Sequence, residues 1–334
     1  MQQDFEAAAP KIVLLGTGGT IAGWAADATR QGDYQAGVLS TAALLADLKP
    51  PLAGSVSIAL DEFAHINSKD ASSDFWLALR SRLAAHLAQA STAAVVVTHG
   101  TDTLEETCFF LSRTLPPSAK PLIFTCAMRP ASHPQPDGPQ NLRDALLLAQ
   151  QPQAAGRGAL VVCGGEVHAG SALEKVHSSS LRPFISRNGL PLGLIRNNQL
   201  IWSKNDDQNI QKMPSNLPEQ LLNLMHSVQA QQLPRVEIIH SHAGASGALV
   251  DALLTASTAP PLAGIVVAGT GQGTIHQTLE QALLAAQQQG VRVVRASSCQ
   301  GLVHQALHDP FIVYPQLSPK QARIQCMLDL LSAA

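Results

Sequence analysis

The sequence predicts an α/β protein of two domains, a larger N-terminal one built on a mostly parallel sheet and a smaller C-terminal parallel α/β domain. Three observations predict it. Short apolar or β-branched runs alternate with helical patterns from Lys11 onwards, the rhythm of a sheet covered by helices. The rhythm fails from about Arg196 to Gln232, where RNNQLIWSKNDDQNIQKMPSNLPEQ is polar and carries two prolines. It resumes at RVEIIHSHAG. These breaks assign residues 1–195 to the N-terminal domain, 196–232 to a connecting segment and 233–334 to the C-terminal domain.

The elements follow in order. KIVLLGT (Lys11 to Thr17) reads as a buried strand and SVSIALDEF (Ser55 to Phe63) as a second. In SSDFWLALRSRLAAHLAQA, Phe75, Trp76, Leu79, Leu83 and Leu87 share a helical face, with a serine available as N-cap. AAVVVT (Ala93 to Thr98) is a short strand, and TLEETCFFLSRTL is a helix whose Thr103-x-x-Glu106 fits a capping box. PLIFTCA, NLRDALLLAQ and ALVVCGG continue the alternation. Further on, GIVVAGTGQGTIHQTLEQALLAAQQQGVRVVRASS gives a strand, a glycine-rich turn, a helix ended by Gly290 and another strand.

Bulk properties narrow the function. Of 334 residues 46% are hydrophobic and 14% charged, against about 25% charged in an average soluble protein. So lightly charged a surface favours contact between subunits. The net charge of −2 comes without a run of lysines or arginines, which argues against nucleic-acid binding. The cysteines, Cys108, Cys126, Cys163, Cys299 and Cys326, are scattered without a CxxC pair and read as buried thiols in a reducing compartment. MQQDFEAAAP lacks the cationic start and apolar core of a signal peptide, and no stretch reaches the roughly 20 apolar residues of a membrane span. The expected location is the cytoplasm.

Ligands of open parallel sheets bind beyond the carboxyl ends of the strands, which here points to GTGGTIAG, THGTDT and CGGEVHAG. GTGGTIAG fails as a dinucleotide fingerprint, because Ile21 stands where the third glycine belongs. It fails as a phosphate loop for want of a closing Gly-Lys-Ser/Thr. In THGTDTLEE, Thr101 and Asp102 lie between a strand end and a helix N-terminus. Capping by Thr103 and dipole complementation by Asp102 would account for much of it, but not for a second threonine beside the acid. Two threonine-bearing loops at one sheet edge suit an amide hydrolase. A threonine hydroxyl needs a base or a stabilising neighbour to become a nucleophile. Lys175, beyond the third loop, is the lysine that topology places best; the alternative is a solvated surface lysine.

With these residues in view, the sequence resembles the bacterial L-asparaginases, which hydrolyse L-asparagine to aspartate and ammonia. TGGTIAG (Thr17 to Gly23) and THGTDT (Thr98 to Thr103) carry the likeness, joined by AMRP (Ala127 to Pro130) and DGPxNL (Asp137 to Leu142). The resemblance implies a flavodoxin-like larger domain and makes Thr20 the primary nucleophile. Thr101, Asp102 and Lys175 become the second catalytic group, and Tyr34 the residue that closes over the substrate and assists Thr20. Ser68 would hold the α-carboxylate and Asp102 the α-ammonium, with Gly18 and Gly19 letting the substrate approach the backbone and turn N–H groups facing the oxyanion. The family's active sites lie between domains of paired subunits in a homotetramer, a dimer of dimers. No cofactor is implied.

Some positions depart from many relatives. Lys69 follows Ser68 where they carry Gln or Glu, Gly244 stands where some present an asparagine to a neighbouring subunit, and Asp309 is a poor stand-in for the acid they lend across it. His240 and His242 alternate along a strand without a third convergent acid, so no metal is expected. His99 is read as orienting its loop. The resulting expectation is an L-asparaginase, with a glutaminase-asparaginase or hydrolase of a related amide as the alternative. A non-catalytic amino-acid sensor would leave the paired threonines and Lys175 unexplained.

Overall fold

The computed structural model describes residues 10–27, 33–49, 57–187, 189–203, 233–257 and 260–333. The chain divides into two compact units, Met1–Ser215 and Asn216–Ala334. In the first, β1 (Lys11–Gly18), β2 (Ile58–Ile66), β3 (Thr92–Thr98), β4 (Leu122–Thr125) and β5 (Ala159–Cys163) pair in parallel in the order β2-β1-β3-β4-β5. This is the flavodoxin-like order. Its direction of winding reverses between β1 and β3, which opens a crevice at the carboxyl ends of those two strands. β1 and β3 are central and almost wholly buried, and their apolar runs follow from that burial on both faces.

Beyond β5 the sheet turns antiparallel through β6 (Glu166–Ala169), β9 (Gly193–Arg196) and β10 (Gln199–Trp202). CGGEVHAG, expected as a strand-end loop, is therefore mostly strand. Gly164 and Gly165, at φ of 60° and 76°, form the two-residue turn of a tight hairpin, which only residues tolerant of positive φ can make. Asn197 and Asn198, at 50° and 61°, turn the next hairpin between Arg196 and Gln199. Residues 196–202 thus hold the sheet's edge, and residues 204–232 of the expected connecting segment lie outside the described residues. A separate ribbon pairs β7 (Leu173–Lys175) with β8 (Phe184–Ser186).

Helices α1 (Thr41–Ala46), α2 (Ser73–Ala88), α3 (Leu104–Thr114) and α4 (Gly138–Ala149) accompany this sheet. Ser72 Oγ accepts the Phe75 N–H and caps α2, whose Trp76, Leu79, Leu83 and Leu87 are buried while Phe75 is half-buried. Each fully buried side chain of this size stabilises the fold by about 1.5–3 kcal/mol. The expected capping box at α3 does not form. Thr103 Oγ makes no cap bond and donates instead to the Ser68 carbonyl at 2.7 Å, a tertiary contact that outcompetes the local one. β2 runs to Ile66, three residues past its expected end, and so delivers the chain directly to Ser68.

The second unit has a parallel sheet of β11 (Arg235–His240), β12 (Leu262–Gly269), β13 (Arg292–Ser297) and β14 (Ile312–Val313). Helices α5 (Ala248–Thr255), α6 (Gln277–Gln288) and α7 (Pro319–Ala333) belong to this unit. Ile239, Val250, Ile265, Val267, Leu283 and Phe311 centre one core. Gly290, at φ 89°, follows the end of α6 as expected. The strand stops at His240, so His242 lies in the following turn and the two histidines do not share a strand face. Cys299 is exposed, whereas the other four cysteines are buried as expected.

One buried acid makes stability depend on pH. Asp144 on α4 is buried, with Gln140 Nε2 donating to its Oδ1 at 2.7 Å. Desolvation raises its pKa to about 6, against the opposing Gln140 bond and Arg143 charge. A folded-state pKa above the unfolded one favours the protonated acid. Its contribution is complete below about pH 4 and is lost as pH rises through about 6. Asp144→Asn keeps the acceptor without the charge, so thermal melts should show it a few degrees more stable than the parent near pH 8 and unchanged near pH 4. An equal gain at both would refute this account.

Candidate active site

β1 ends on Gly18 at φ 99°, Gly19 follows at 79°, and the chain then makes a single 3₁₀ turn over Thr20–Ala22. The need for glycine here is protein against protein rather than protein against substrate. A Cβ on Gly18 would fall 2.5 Å from the Ile66 carbonyl oxygen, and one on Gly19 2.4 Å from both N and Cα of Gly100. The TGGT and THGT loops therefore touch backbone to backbone. Thr17 Oγ1 reinforces the join by donating to the Thr98 carbonyl at 2.9 Å.

This contact brings the expected residues to one pocket of about 340 Å³. Thr20, Tyr34, Thr101, Asp102 and Lys175 all line it, with Met128, Arg129, Pro130, Ser132, His133, Ser178 and Ser179. Thr20 Oγ1 and Tyr34 Oη lie 2.6 Å apart, sharing a hydrogen bond. The tyrosine ring lies against Gly23, where a Cβ would come 2.7 Å from Cδ2. On the other side Lys175 Nζ donates to Thr101 Oγ1 at 2.9 Å and to Asp102 Oδ1 at 2.7 Å. Each threonine hydroxyl thus has its own polar partner.

Ser68 is buried behind the second loop. Its Oγ accepts the Asp102 N–H at 3.2 Å and its carbonyl the Thr103 hydroxyl. Lys69 is not brought to the pocket. Its ammonium donates to both carboxylate oxygens of Asp70 at 2.8 and 2.9 Å, and the side chain is largely exposed. Gly244 takes φ 73° with open space around it. Asp309, the poor candidate for a shared acid, is buried and paired with Arg295. Among the described residues no group of three His, Cys, Asp or Glu could hold a metal ion.

Three features escape a reading of the motifs alone. Glu105, buried in the first turn of α3, accepts the backbone N–H of Lys175 at 2.6 Å and so fixes where that lysine begins. Asp137 accepts the N–H groups of Met128 and Arg129 at 2.9 and 2.8 Å, holding the far wall of the pocket. Asn141 donates to the Cys126 carbonyl and accepts the Gly164 N–H, both at 3.0 Å. The AMRP and DGPxNL stretches therefore form one brace. The only signal for it was their presence as motifs.

His99 orients the second loop through bonds whose directions are fixed. The Gly100 carbonyl can only accept, so His99 Nδ1 donates to it at 2.7 Å. Trp76 Nε1 can only donate, at 3.0 Å to Thr107 Oγ1, which in turn lies 3.2 Å from His99 Nε2. The ring is wholly buried near Phe75 and Phe124, and desolvation lowers its pKa to about 4, the Gly100 bond opposing. With a folded pKa below the unfolded one, the contribution stands above about pH 6.5 and is lost as pH falls towards 4. Nitrogen-15 NMR near pH 6 should find a neutral Nδ1–H ring. A ring titrating near 6.5, or the opposite tautomer, would contradict the arrangement.

The chain has clear counterparts among known proteins. Residues 11–208 match the family model described as Asparaginase, N-terminal, and residues 235–333 the Glutaminase/Asparaginase C-terminal domain. L-asparaginase 2 of Escherichia coli strain K12 is 32% identical over 329 residues, 97% of this chain and 89% of the relative. The probable periplasmic L-asparaginase of Haemophilus influenzae is 34% identical over 288 residues, 86% of this chain and 77% of the relative. The crystal structure of a probable cytoplasmic L-asparaginase from Campylobacter jejuni superposes with a TM-score of 0.83 at 31% identity, covering 96% of this chain and 95% of that one. With both family models matched in order and the likeness running nearly end to end, the chain belongs to the bacterial L-asparaginase family of amidohydrolases.

Proposed function

We propose that the pocket hydrolyses the side-chain amide of L-asparagine to L-aspartate and ammonia, with Thr20 as nucleophile. The observation that carries this reading is two threonine hydroxyls in one pocket, one hydrogen-bonded to a phenol and the other to a lysine that also holds a carboxylate. Thr20 Oγ attacks the amide carbon and loses its proton, with Tyr34 relaying it. The tetrahedral intermediate collapses as the nitrogen takes a proton and leaves as ammonia. Water then hydrolyses the Thr20 ester, aided by Thr101, Asp102 and Lys175. Gly19 N–H is bonded to the Ile66 carbonyl and Asp102 N–H to Ser68 Oγ, so the oxyanion donors are assigned to the other amides of the two loops, those of Thr20 and Thr101 among them. Direct attack by water, with Thr20 only polarising the amide, uses the same groups.

Asp102 has its Oδ2 without a partner among the described residues and a half-exposed side chain, suited to an α-ammonium. Ser68, pinned against the same loop, suits the α-carboxylate, and Gly19 remains part of the proposed binding surface, whereas Lys69, held by Asp70, does not. A second reading, turnover of glutamine as well, is favoured by the engagement of Lys69 with Asp70 and of Asp309 with Arg295, which withdraws two groups from selecting the shorter amide. One methylene is worth only about 1–3 kcal/mol of discrimination.

We place the enzyme in the cytoplasm as a homotetramer arranged as a dimer of dimers. The scattered cysteines and the Campylobacter jejuni protein's name support the first, although the Haemophilus influenzae relative is named as periplasmic. No helix among the described residues is long and apolar enough to cross a membrane. Exposed Leu307 and Leu190 on a lightly charged chain support association.

Ammonia release should be fast with L-asparagine and fall at least about a thousandfold in Thr20→Ala, the scale of losing a nucleophile. The ratio of kcat/KM for asparagine and glutamine then separates the two readings. Retained turnover in Thr20→Ala would remove it as nucleophile, and no ammonia from either amide would sink the reading itself. Lys175→Met should lower kcat by about a hundredfold or more across the pH range, as loss of an acid–base group does. Full activity in that variant would exclude Lys175 from the chemistry.

A further inference from the structure

We infer that His65, on β2, is the positioning residue that holds Tyr34 against Thr20, acting through the backbone of Gly37. The inference rests on the proposed role of Tyr34 in assisting Thr20.

The segment that carries Tyr34 returns to the first motif through main-chain bonds. Trp24 and Gln35 exchange N–H and carbonyl at 2.9 Å in both directions. Gly37 N–H donates to the Gly19 carbonyl at 3.1 Å, and the N–H groups of Val38 and Leu39 both reach the Ala22 carbonyl. Such bonds set the segment's direction but would form with almost any side chains present. Among the described residues, two side chains of β2, Glu62 and His65, bond to the stretch that follows Tyr34. Glu62 Oε1 accepts the N–H and the hydroxyl of Thr41 at the start of α1. Closer to the chemistry, His65 Nδ1 lies 3.0 Å from the Gly37 carbonyl, and since a carbonyl only accepts, the ring donates.

Gly37 is built to receive that bond. At φ 69° it lies flat on β2, and a Cβ there would come 2.9 Å from the His65 carbonyl carbon and 3.0 Å from its oxygen. The same residue therefore donates to Gly19, next to Thr20, and accepts from His65, three positions after Tyr34. A shift of Gly37 away from β2 must move the phenol relative to the Thr20 hydroxyl. Half of the His65 side chain is exposed and its Nε2 lies 3.9 Å from Glu62 Oε2, so its removal opens no core cavity and leaves no buried charge unpaired. Its conspicuous contact is with the strap that carries Tyr34.

The test compares His65→Leu, His65→Asn, Tyr34→Phe and the double variant Tyr34→Phe/His65→Leu in the full-length protein. Asparagine turnover and amide hydrogen exchange of Gln35 and Gly37 are both read. His65→Leu should lower kcat about fivefold to tenfold, the scale of one lost hydrogen bond, with KM changed much less. His65→Asn, whose side-chain N–H₂ can reach the same carbonyl, should restore most of it. In the Tyr34→Phe background the leucine substitution should cost less than about twofold, because the group it positions is gone. Exchange at Gln35 and Gly37 should quicken in His65→Leu and recover in His65→Asn. If Tyr34→Phe lowers kcat but His65→Leu does not, the positioning role is wrong and the role of Tyr34 stands. If Tyr34→Phe leaves kcat unchanged, the assisting role of Tyr34 fails. Exchange alone then decides whether His65 holds the strap, and unchanged exchange in His65→Leu overturns that too.

Discussion

The site depends on one van der Waals constraint, the contact of Gly19 with Gly100 across the crevice between β1 and β3. The parallel sheet brings the two strand ends side by side but leaves their loops free to diverge, since the connecting chains run off in opposite directions at that point. Only when Gly19 carries no Cβ can the loops lie against each other, and Gly100 has no room for one because Ser68 Oγ would be 2.5 Å away. That approach brings Thr20 and Thr101 into one pocket rather than two clefts. The wide apolar burial around β1 and β3 makes this corner rigid enough for the contact to define positions.

Around this contact, buried polar groups from distant parts of the chain set individual atoms. Lys175 reaches Thr101 across 74 residues of sequence, yet its own backbone is fixed by Glu105, in the first turn of the helix that the Thr101 loop begins. Asp137 and Asn141 do the same for the opposite wall, and His99 for Gly100. In each case a side chain bonds to main chain, which constrains the path of a loop more directly than a side-chain pair would. A buried acceptor left without its donor costs about 1–3 kcal/mol, so these loops have little freedom to drift.

Much of this was legible in the sequence, for physical reasons. The apolar runs of β1 and β3 announce strands buried on both faces, and the two glycine-threonine motifs announce their functional ends. The helical face of α2 and its serine cap follow from periodicity and local hydrogen bonding. What sequence could not show is what depends on partners far along the chain. Thr103 has the spacing of a cap, but Ser68 takes its hydroxyl. Gly164 and Gly165 have the look of an open strand-end loop, but the strand that follows turns straight back on β5. Glu105 is one acid among several at a helix start until the ribbon carrying Lys175 lies beside it. Lys69 sits beside Ser68 in the chain, yet Ser68 is buried while Lys69 is exposed and held by the carboxylate of Asp70.

The close approach of the two glycines also bears on how such a site can change over generations. A side-chain contact can be lost and rebuilt by a compensating substitution on its partner, since volume removed on one side can be added on the other. Two α-carbons in contact offer no such exchange, because no residue is smaller than glycine. Any side chain at Gly19 must push the loops apart, since its Cβ would fall 2.4 Å from the Gly100 backbone. One at Gly100 would first meet Ser68 Oγ at 2.5 Å, and nothing at the opposite position can relieve either clash. Descendants of this sequence can therefore vary the pocket's rim, its wall and its subunit contacts by small reversible steps. The junction beneath the threonines has only one exit, and a lineage that leaves by it returns only by restoring the glycine itself.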